Sequence, residues 1–582
     1  MAIATTSWTG QPRIKGSTES LRMFMLTASI IGLQFAWGTE LTYCTPYLLS
    51  LGMSKSHMSL VWTAAPLSGL IVQPLIGMMS DKSRSKYGRR RPFMLAGTAA
   101  VGVCYLVLGW AKEIAGWWVG EGGEGEGRPM LTHPAGGQRR KLAIVIAVGD
   151  IYVLDFVINV AQSTCKALIV DTLPIEKQQL GAAWGAMGGI GHLMVYAIGA
   201  LDLKSIFGNF LGDTQFKKVC VIAAIAMGIA QCTTAWAVQE RVLVANGAKG
   251  EEENQSIMAL FSQTFSTILH VPDRIQAICW VQFWSWIGWF PVLFYGSTWV
   301  GEIYLRYEVE ADHSTDDALN EVGRHGSMSL IVFSIVATIC SIVLPWFIQS
   351  PDDNDKPAYT ARPPSSLKPV LSTFRFQKPT LLTVWAIGCL LFSASMIWAP
   401  LVQSVWFATL LVALLGVSNA IATLSPATFL GVEINRMSSG IPLSYSRLSS
   451  GRRSDEIELD GMSDSPPRSI LHLRHDSNGS LPPSSTGELS GIYLGILNIY
   501  TTLPQFVGTA ISWVVFSILE PGKSPELAKD AHPDEHHATD GLSGIGVCLF
   551  REYICLGFVD GICANTSSNS RGSMLGRSCL RD

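Results

Sequence analysis

Glu40 lies three residues from both Trp37 and Tyr43, so on a helix the three side chains share a face. A carboxylate accepts pairs of hydroxyl hydrogen bonds, and aromatic rings pack on the apolar C–H face of a pyranose. The trio therefore suits a polyhydroxylated ligand. A second set keeps the same periodicity: Asp155, Asn159 and Gln162 are spaced by four and three, and Lys166 falls four further on. Burial of a carboxylate in a low-dielectric helix favours its protonated form, as a group that takes and releases protons requires. Asp155 is the expected proton-coupling residue, with a structural Asp155–Lys166 pair as the alternative. Asp150 lies nearer the end of its segment and is more easily solvated. Gln282 and Trp286 are four apart within an aromatic run from Trp280 to Tyr295, and Asn498 and Gln505 stand on either side of Pro504. His192 reads as an interior hydrogen-bonding histidine rather than a relay.

What must position these groups is set by composition. The chain has 582 residues, of which 48% are hydrophobic and only 15% charged, with a mean hydropathy of +0.29. Soluble chains carry about a quarter charged residues. The few charges sit between long apolar stretches. This pattern excludes a soluble enzyme, a disordered protein and a disulfide-stapled domain, and leaves an all-α polytopic membrane protein. With 42 basic and 45 acidic residues the net charge is −3, which gives no pull toward nucleic acid. The 12 cysteines are scattered, without a CxxC pair or a metal-ligand cluster, so no metal and no organic cofactor is expected.

Spans of about 20 apolar residues are expected at Met23–Leu49, Met58–Met79, Phe93–Trp110, Leu142–Cys165, Ala182–Leu201 and Val219–Val238. After a polar midpoint they resume at Ile275–Tyr295, Met328–Ile348, Leu381–Trp398, Val405–Leu424 and Gly491–Leu519. A twelfth is interrupted by Arg551 and Glu552 between Leu542–Phe550 and Tyr553–Cys563, and a mid-span charge costs about 2.5 to 3.5 kcal/mol. The organisation is a tail (1–22), a six-helix half (23–238), a central loop (239–274), a second half (275–563) with a disordered insert (437–488), and a disordered tail (564–582). The loop with Lys82, Arg84, Lys86, Arg89, Arg90 and Arg91 is expected on the cytoplasmic side, together with the N-terminus and the insert. The loop after the seventh span, with Glu302, Glu308, Glu310, Asp312, Asp316, Asp317 and Glu321, then falls outside. The first apolar run is long enough to span, so it reads as a helix rather than a cleaved leader.

Two sets of six around a central cavity is the plan of a major-facilitator transporter. Gly77–Met–Met–Ser–Asp81–Lys82 followed by Gly88–Arg89–Arg90–Arg91–Pro92–Phe93 resembles that superfamily's loop motif. Further blocks are similar to the sucrose transporters of its glycoside-pentoside-hexuronide branch: Gln34–Phe–Ala–Trp37, Pro66–Leu–Ser–Gly69–Leu–Ile–Val–Gln73–Pro74, Leu154–Asp155 with Asn159 and Gln162–Ser–Thr–Cys165–Lys166, Trp289–Phe–Pro291, and Leu494–Gly495 with Asn498 and Pro504–Gln505. The resemblance implies symport of a proton with sucrose or a related α-glucoside such as maltose. It implies that Asp155 binds sugar and senses protons, that Lys166 stands where plant relatives carry Arg, and that Arg324, within Gly323–Arg–His–Gly326, contacts substrate. It also implies a charge lock of Asp81, Lys82, Arg89, Arg90, Arg91, Lys166 and Asp171 that steadies one face of the carrier. Glu40 in place of the plant Gln, and Gly296–Ser297–Thr298–Trp299 in place of an acidic run, look more like the fungal or animal branch. The partners implied are a disaccharide, a proton and the lipid bilayer, with the plasma membrane expected over the vacuolar one. The rival reading is a non-transporting sugar sensor signalling through the insert.

Overall fold

The structure is a computed structural model that describes residues 7–9, 11–81, 83–119, 134–173, 187–240, 242–244, 271–308, 318–348, 378–438, 486–522, 524, 527 and 543–551. Hydrocarbon offers the backbone no hydrogen-bond partner, so an apolar run must satisfy its amides internally and becomes a helix. The first half holds α1 (Glu19–Ser50), α2 (Lys55–Val61), α3 (Ala64–Asp81), α4 (Arg91–Gly109), α5 (Ala111–Val119), α6 (Pro134–Thr172), α7 (Gly188–Ala200), α8 (Leu203–Phe207) and α9 (Gln215–Ala237). The second holds α10 (Asp273–Tyr307), α11 (Ala318–Phe347), α12 (Leu381–Met396), α13 (Val405–Ser438), α14 (Thr486–Leu519) and α15 (Gly544–Arg551). Among the described residues, ten helices are long and apolar enough to cross a membrane, with α2 and α3 taken together as one. The shorter α7 falls at the fifth expected span, whose first part lies outside the described residues. Helix starts follow capping chemistry: the side chains of Thr18, Ser54, Thr214 and Thr380 accept backbone N–H groups of the first turns of α1, α2, α9 and α12.

Several boundaries depart from the sequence reading. The second span is broken at Trp62–Thr63, between α2 and α3. Helix α10 continues well past Tyr295, so Glu302 is not in an exposed acidic loop but inside the helix and 1% exposed. Its neighbours Trp299, Val300 and Ile303 are buried too and carry the apolar pattern on. Helix α11 starts at Ala318, ten residues before the expected span, and so includes Arg324. The N-terminal tail is not wholly free of structure. Strand β1 (Ser7–Thr9) pairs antiparallel with β4 (Val242–Val244), and β2 (Arg13–Ile14) pairs with β3 (Val238–Gln239), tying the tail to the chain that leaves α9. The insert between α13 and α14, most of the central loop and Tyr553–Cys563 lie outside the described residues.

Helix α1 packs on α7 and α9, α4 sits against α6 and α9, and α3 lies on α6. In the second half α10 packs on α11 and α14, and α13 packs on α11 and α12. The halves meet where α7 faces α11, α1 faces α10, and α14 faces α2 and α3. Without a hydrophobic force between helices in lipid, close approach depends on small residues. A Cβ on Gly191 would come 2.3 Å from the Ile31 carbonyl oxygen, so only glycine lets α7 lie this close to α1.

Candidate functional site

Glu40 on α1 and Asp155 on α6 are both fully buried. They lie within electrostatic reach of each other, with Asp150 close enough to act on Glu40 as well. Apart from each other, the carboxyl oxygens of Glu40 and Asp155 have no hydrogen-bond partner among the described residues. Two desolvated anions side by side would each cost several kcal/mol. The alternative Asp155–Lys166 ion pair does not form: Lys166 is exposed on α6 and away from the carboxyls.

One turn along α6, Asn159 begins a chain of amides. Its Nδ2 donates to Ser68 Oγ at 2.8 Å and to the Asp155 carbonyl at 3.0 Å. Gln73 Nε2 on α3 donates to Asn159 Oδ1 at 3.0 Å, and Asn498 Nδ2 on α14 donates to Gln73 Oε1 at 3.2 Å. Asp155, Asn159 and Asn498 are thus joined across the two halves through Gln73. Gln73 stood in a sequence block but was not assigned a role. Its signal was an amide in the middle of an apolar span.

Toward the other end of α1, Tyr43 Oη donates to the Gly199 carbonyl at 3.2 Å, and its ring packs against Gly323 of α11. Arg324 lies on that same turn and pairs with Glu321 at 3.1 Å. Gln282 is buried, and its carbonyl oxygen has no partner among the described residues. Trp37 and Trp286 are partly buried against the main core. Gln162 is half-buried. Gln505 is turned back on its own helix and donates to the Thr501 carbonyl at 3.1 Å. Among the described residues, no hydrogen bond brings Gln282, Trp286 or Gln505 to the Glu40–Asp155 pair. His192 stacks on Tyr196, with ring centroids 5.8 Å apart.

The charge lock is assembled at the basic end of the first half. Arg89 Nη2 pairs with Asp171 Oδ1 at 2.7 Å, and Arg90 Nε with Asp171 Oδ2 at 2.9 Å. Arg90 also pairs with Asp81 and donates to Ser80 Oγ. Arg91 takes part through its backbone. The N–H groups of Arg89, Arg90 and Arg91 donate to the Glu240 carboxylate at 3.0, 2.9 and 2.9 Å, an acidic cap on the start of α4. Lys166 is not part of the lock, and Lys82 lies outside the described residues. Glu240 was missed because it follows the last residues of a span with no motif around it.

Residues 26–116 match the model of a family described as MFS/sugar transport protein. The chain is similar to the general alpha-glucoside permease of Schizosaccharomyces pombe, 27% identical over 568 residues, which cover 88% of this chain and 90% of that one. It is similar to the sucrose transport protein SUC4 of Arabidopsis thaliana, 32% identical over 303 residues, covering 50% of this chain and 56% of that one. Among solved structures it shares the fold of a bacterial homologue of the human lysosomal transporter Spinster in an inward-facing conformation, with a TM-score of 0.50 and 13% identity over 95% of this chain and 98% of the other. Helices of membrane-crossing length in two facing halves and a family match over the first spans agree with relatives that are transporters rather than enzymes. This chain is an integral, multi-pass membrane protein whose first spans match the MFS/sugar transport protein model and whose full length is similar to a permease.

Proposed function

We propose that this chain carries sucrose or a related α-glucoside across a membrane together with a proton, by alternating access between its two halves. The observation that carries the proposal is the buried pair Glu40–Asp155, whose carboxyl oxygens have no protein partner but each other among the described residues. Sugar hydroxyls are the donors such oxygens lack. A proton held by the pair removes the charge that would otherwise oppose closing the site around its load. Asp155 is the group that takes the proton, and Glu40 is its partner in binding the sugar. Trp37 and Tyr43 share the helical face of Glu40 and suit the apolar face of a pyranose. Asn159, Gln73 and Asn498 offer amides to hydroxyls at the seam between the halves. The names of the relatives, an alpha-glucoside permease and a sucrose transport protein, favour this substrate class.

The loop with Lys82, Arg84, Lys86, Arg89, Arg90 and Arg91 carries an excess of positive charge, which favours a cytoplasmic location for that end and for the N-terminal tail. The plasma membrane is the proposed location over the vacuolar one. The test is uptake of a labelled panel of sucrose, maltose and other glucosides in a host lacking its own carriers, with and without a protonophore. Accumulation that the protonophore abolishes supports symport. Accumulation that the protonophore leaves intact, or no uptake of any α-glucoside by protein at the cell surface, overturns it.

A further inference from the structure

At the end of the bundle opposite the lock, four charged side chains are buried together. Lys55, the first residue of α2, is fully buried. Its Nζ lies 2.8 Å from Glu302 Oε1 on α10 and 2.5 Å from Glu520 Oε2, just beyond the end of α14. Arg306, one turn along α10 from Glu302, contributes a second cation at 3.3 Å from Glu520 Oε1. That same oxygen accepts the Gly544 N–H at the start of α15, at 2.7 Å. Among the described residues the cluster sets two cations against two anions. It is also divided unequally between the halves: Lys55 belongs to the first, and Glu302, Arg306 and Glu520 to the second.

Directly toward the membrane centre the halves close in a second layer. The rings of Trp62 and Phe294 are 4.4 Å apart. Thr45 Oγ1 donates to the Phe294 carbonyl at 2.8 Å, and Ser297 Oγ donates to the Thr42 carbonyl at 3.1 Å. Any path from this end to Glu40 and Asp155 along the α1–α10 seam is shut by these contacts. Opening the path moves α1 and α2 away from α10 and α14, and so parts Lys55 from both acids.

We propose that Lys55 is the positioning residue of an ionic latch with Glu302 and Glu520, holding the outer end of the carrier closed. The proposal rests on the transport reading above for which end is outer. Two arrangements of Lys55 are tolerable: paired and dry, or separated and hydrated. Separated but dry is costly, so the latch favours two discrete states over a continuum. Arg306 stays on the same half as Glu302 and Glu520 when the halves part, so the acids keep a cation beside them. Lys55 is the group of this cluster that detaches.

The test uses the full chain with Thr42→Cys in the seam, labelled by a membrane-impermeant thiol reagent in right-side-out and inside-out vesicles, against the same chain without that substitution. Lys55→Met should raise the labelling rate of the introduced thiol from the Lys55 end by at least about fivefold, whereas Lys55→Arg should label as the parent does. The double variant Lys55→Glu with Glu302→Lys should return labelling toward the parent rate, which loss of packing alone would not allow. Should Lys55→Met fail to reach the membrane, Glu302→Gln weakens the same latch from the other half and should also raise labelling. Unchanged labelling in these variants, or no rescue in the reversed pair, overturns the proposal. No sugar is needed for this readout, so a chain that transports no α-glucoside but shows the rise would sink the transport reading and keep the latch. A rise only in inside-out vesicles would keep the latch and reverse the orientation.

Discussion

Replacing Asp155 by Asn should uncouple sugar movement from the proton gradient without closing the path. The side chain keeps its size and can still donate and accept hydrogen bonds, but it no longer carries an exchangeable proton. Asp155 and Glu40 form one buried pair, and the proposed cycle loads one proton on it per sugar. One proton per sugar moves one elementary charge. That charge is worth about 2.3 kcal/mol per 100 mV of membrane potential. At about 1.4 kcal/mol per factor of ten, a potential of about 100 mV drives a sugar concentration ratio of about fifty. In Asp155→Asn the ratio should fall to about one, while exchange of labelled for unlabelled sugar continues. The assay is accumulation of labelled sucrose or maltose in vesicles with an imposed potential, run beside counterflow in the same preparation. Variant vesicles that still concentrate sugar, or sugar-induced proton currents of normal size, would refute the assignment. Glu40→Gln is the control for which member carries the proton. If it loses accumulation while Asp155→Asn keeps it, Glu40 is the coupling group.

Arg324→Ala should raise the half-saturation concentration several-fold or stop transport, because Arg324 lies on the turn of α11 that packs on Tyr43; unchanged kinetics would count against its role. Glu240→Ala removes the acceptor of three backbone N–H groups at the start of α4, and its loss should cost about 2 to 3 kcal/mol. That cost reads out as a lower melting temperature of the solubilised protein, and a melting curve equal to the parent's would show that the cap contributes nothing. Deleting residues 439–485, which leaves the ends of α13 and α14 intact, should preserve uptake. Loss of all response with normal surface expression would instead favour a sensor that signals through the insert.

The membrane class and the order of the spans were legible in the sequence, because each span is a local demand: lipid leaves every run of apolar residues one way to satisfy its backbone. Glu40 and Asp155 were legible for the same reason, since a carboxylate within such a run is expensive and stands out. The loop motif likewise exposed Asp81, Arg89 and Arg90, and the family resemblance added Asp171. Where charge placement was used to assign loops, the reading failed at Glu302. A window along the chain sees an acid after an aromatic run and ends the helix there. The cost of burying that acid is offset by Lys55, 247 residues away. Lys166 failed in the opposite sense: it sits at the right helical spacing below Asp155, yet its side chain turns to the exposed side.

Local chemistry thus determined which segments cross the membrane and which polar groups they carry inside. Only the packing of one half against the other decided that Gln73 bridges Asn159 to Asn498 and that Lys55 closes on Glu302 and Glu520, and only the packing of α1 on α6 set Glu40 beside Asp155. Spacing along one helix places side chains on a face, but the energy of a buried charge or amide depends on what stands opposite. In this chain what stands opposite comes from another helix, and for Gln73 and Lys55 from the other half.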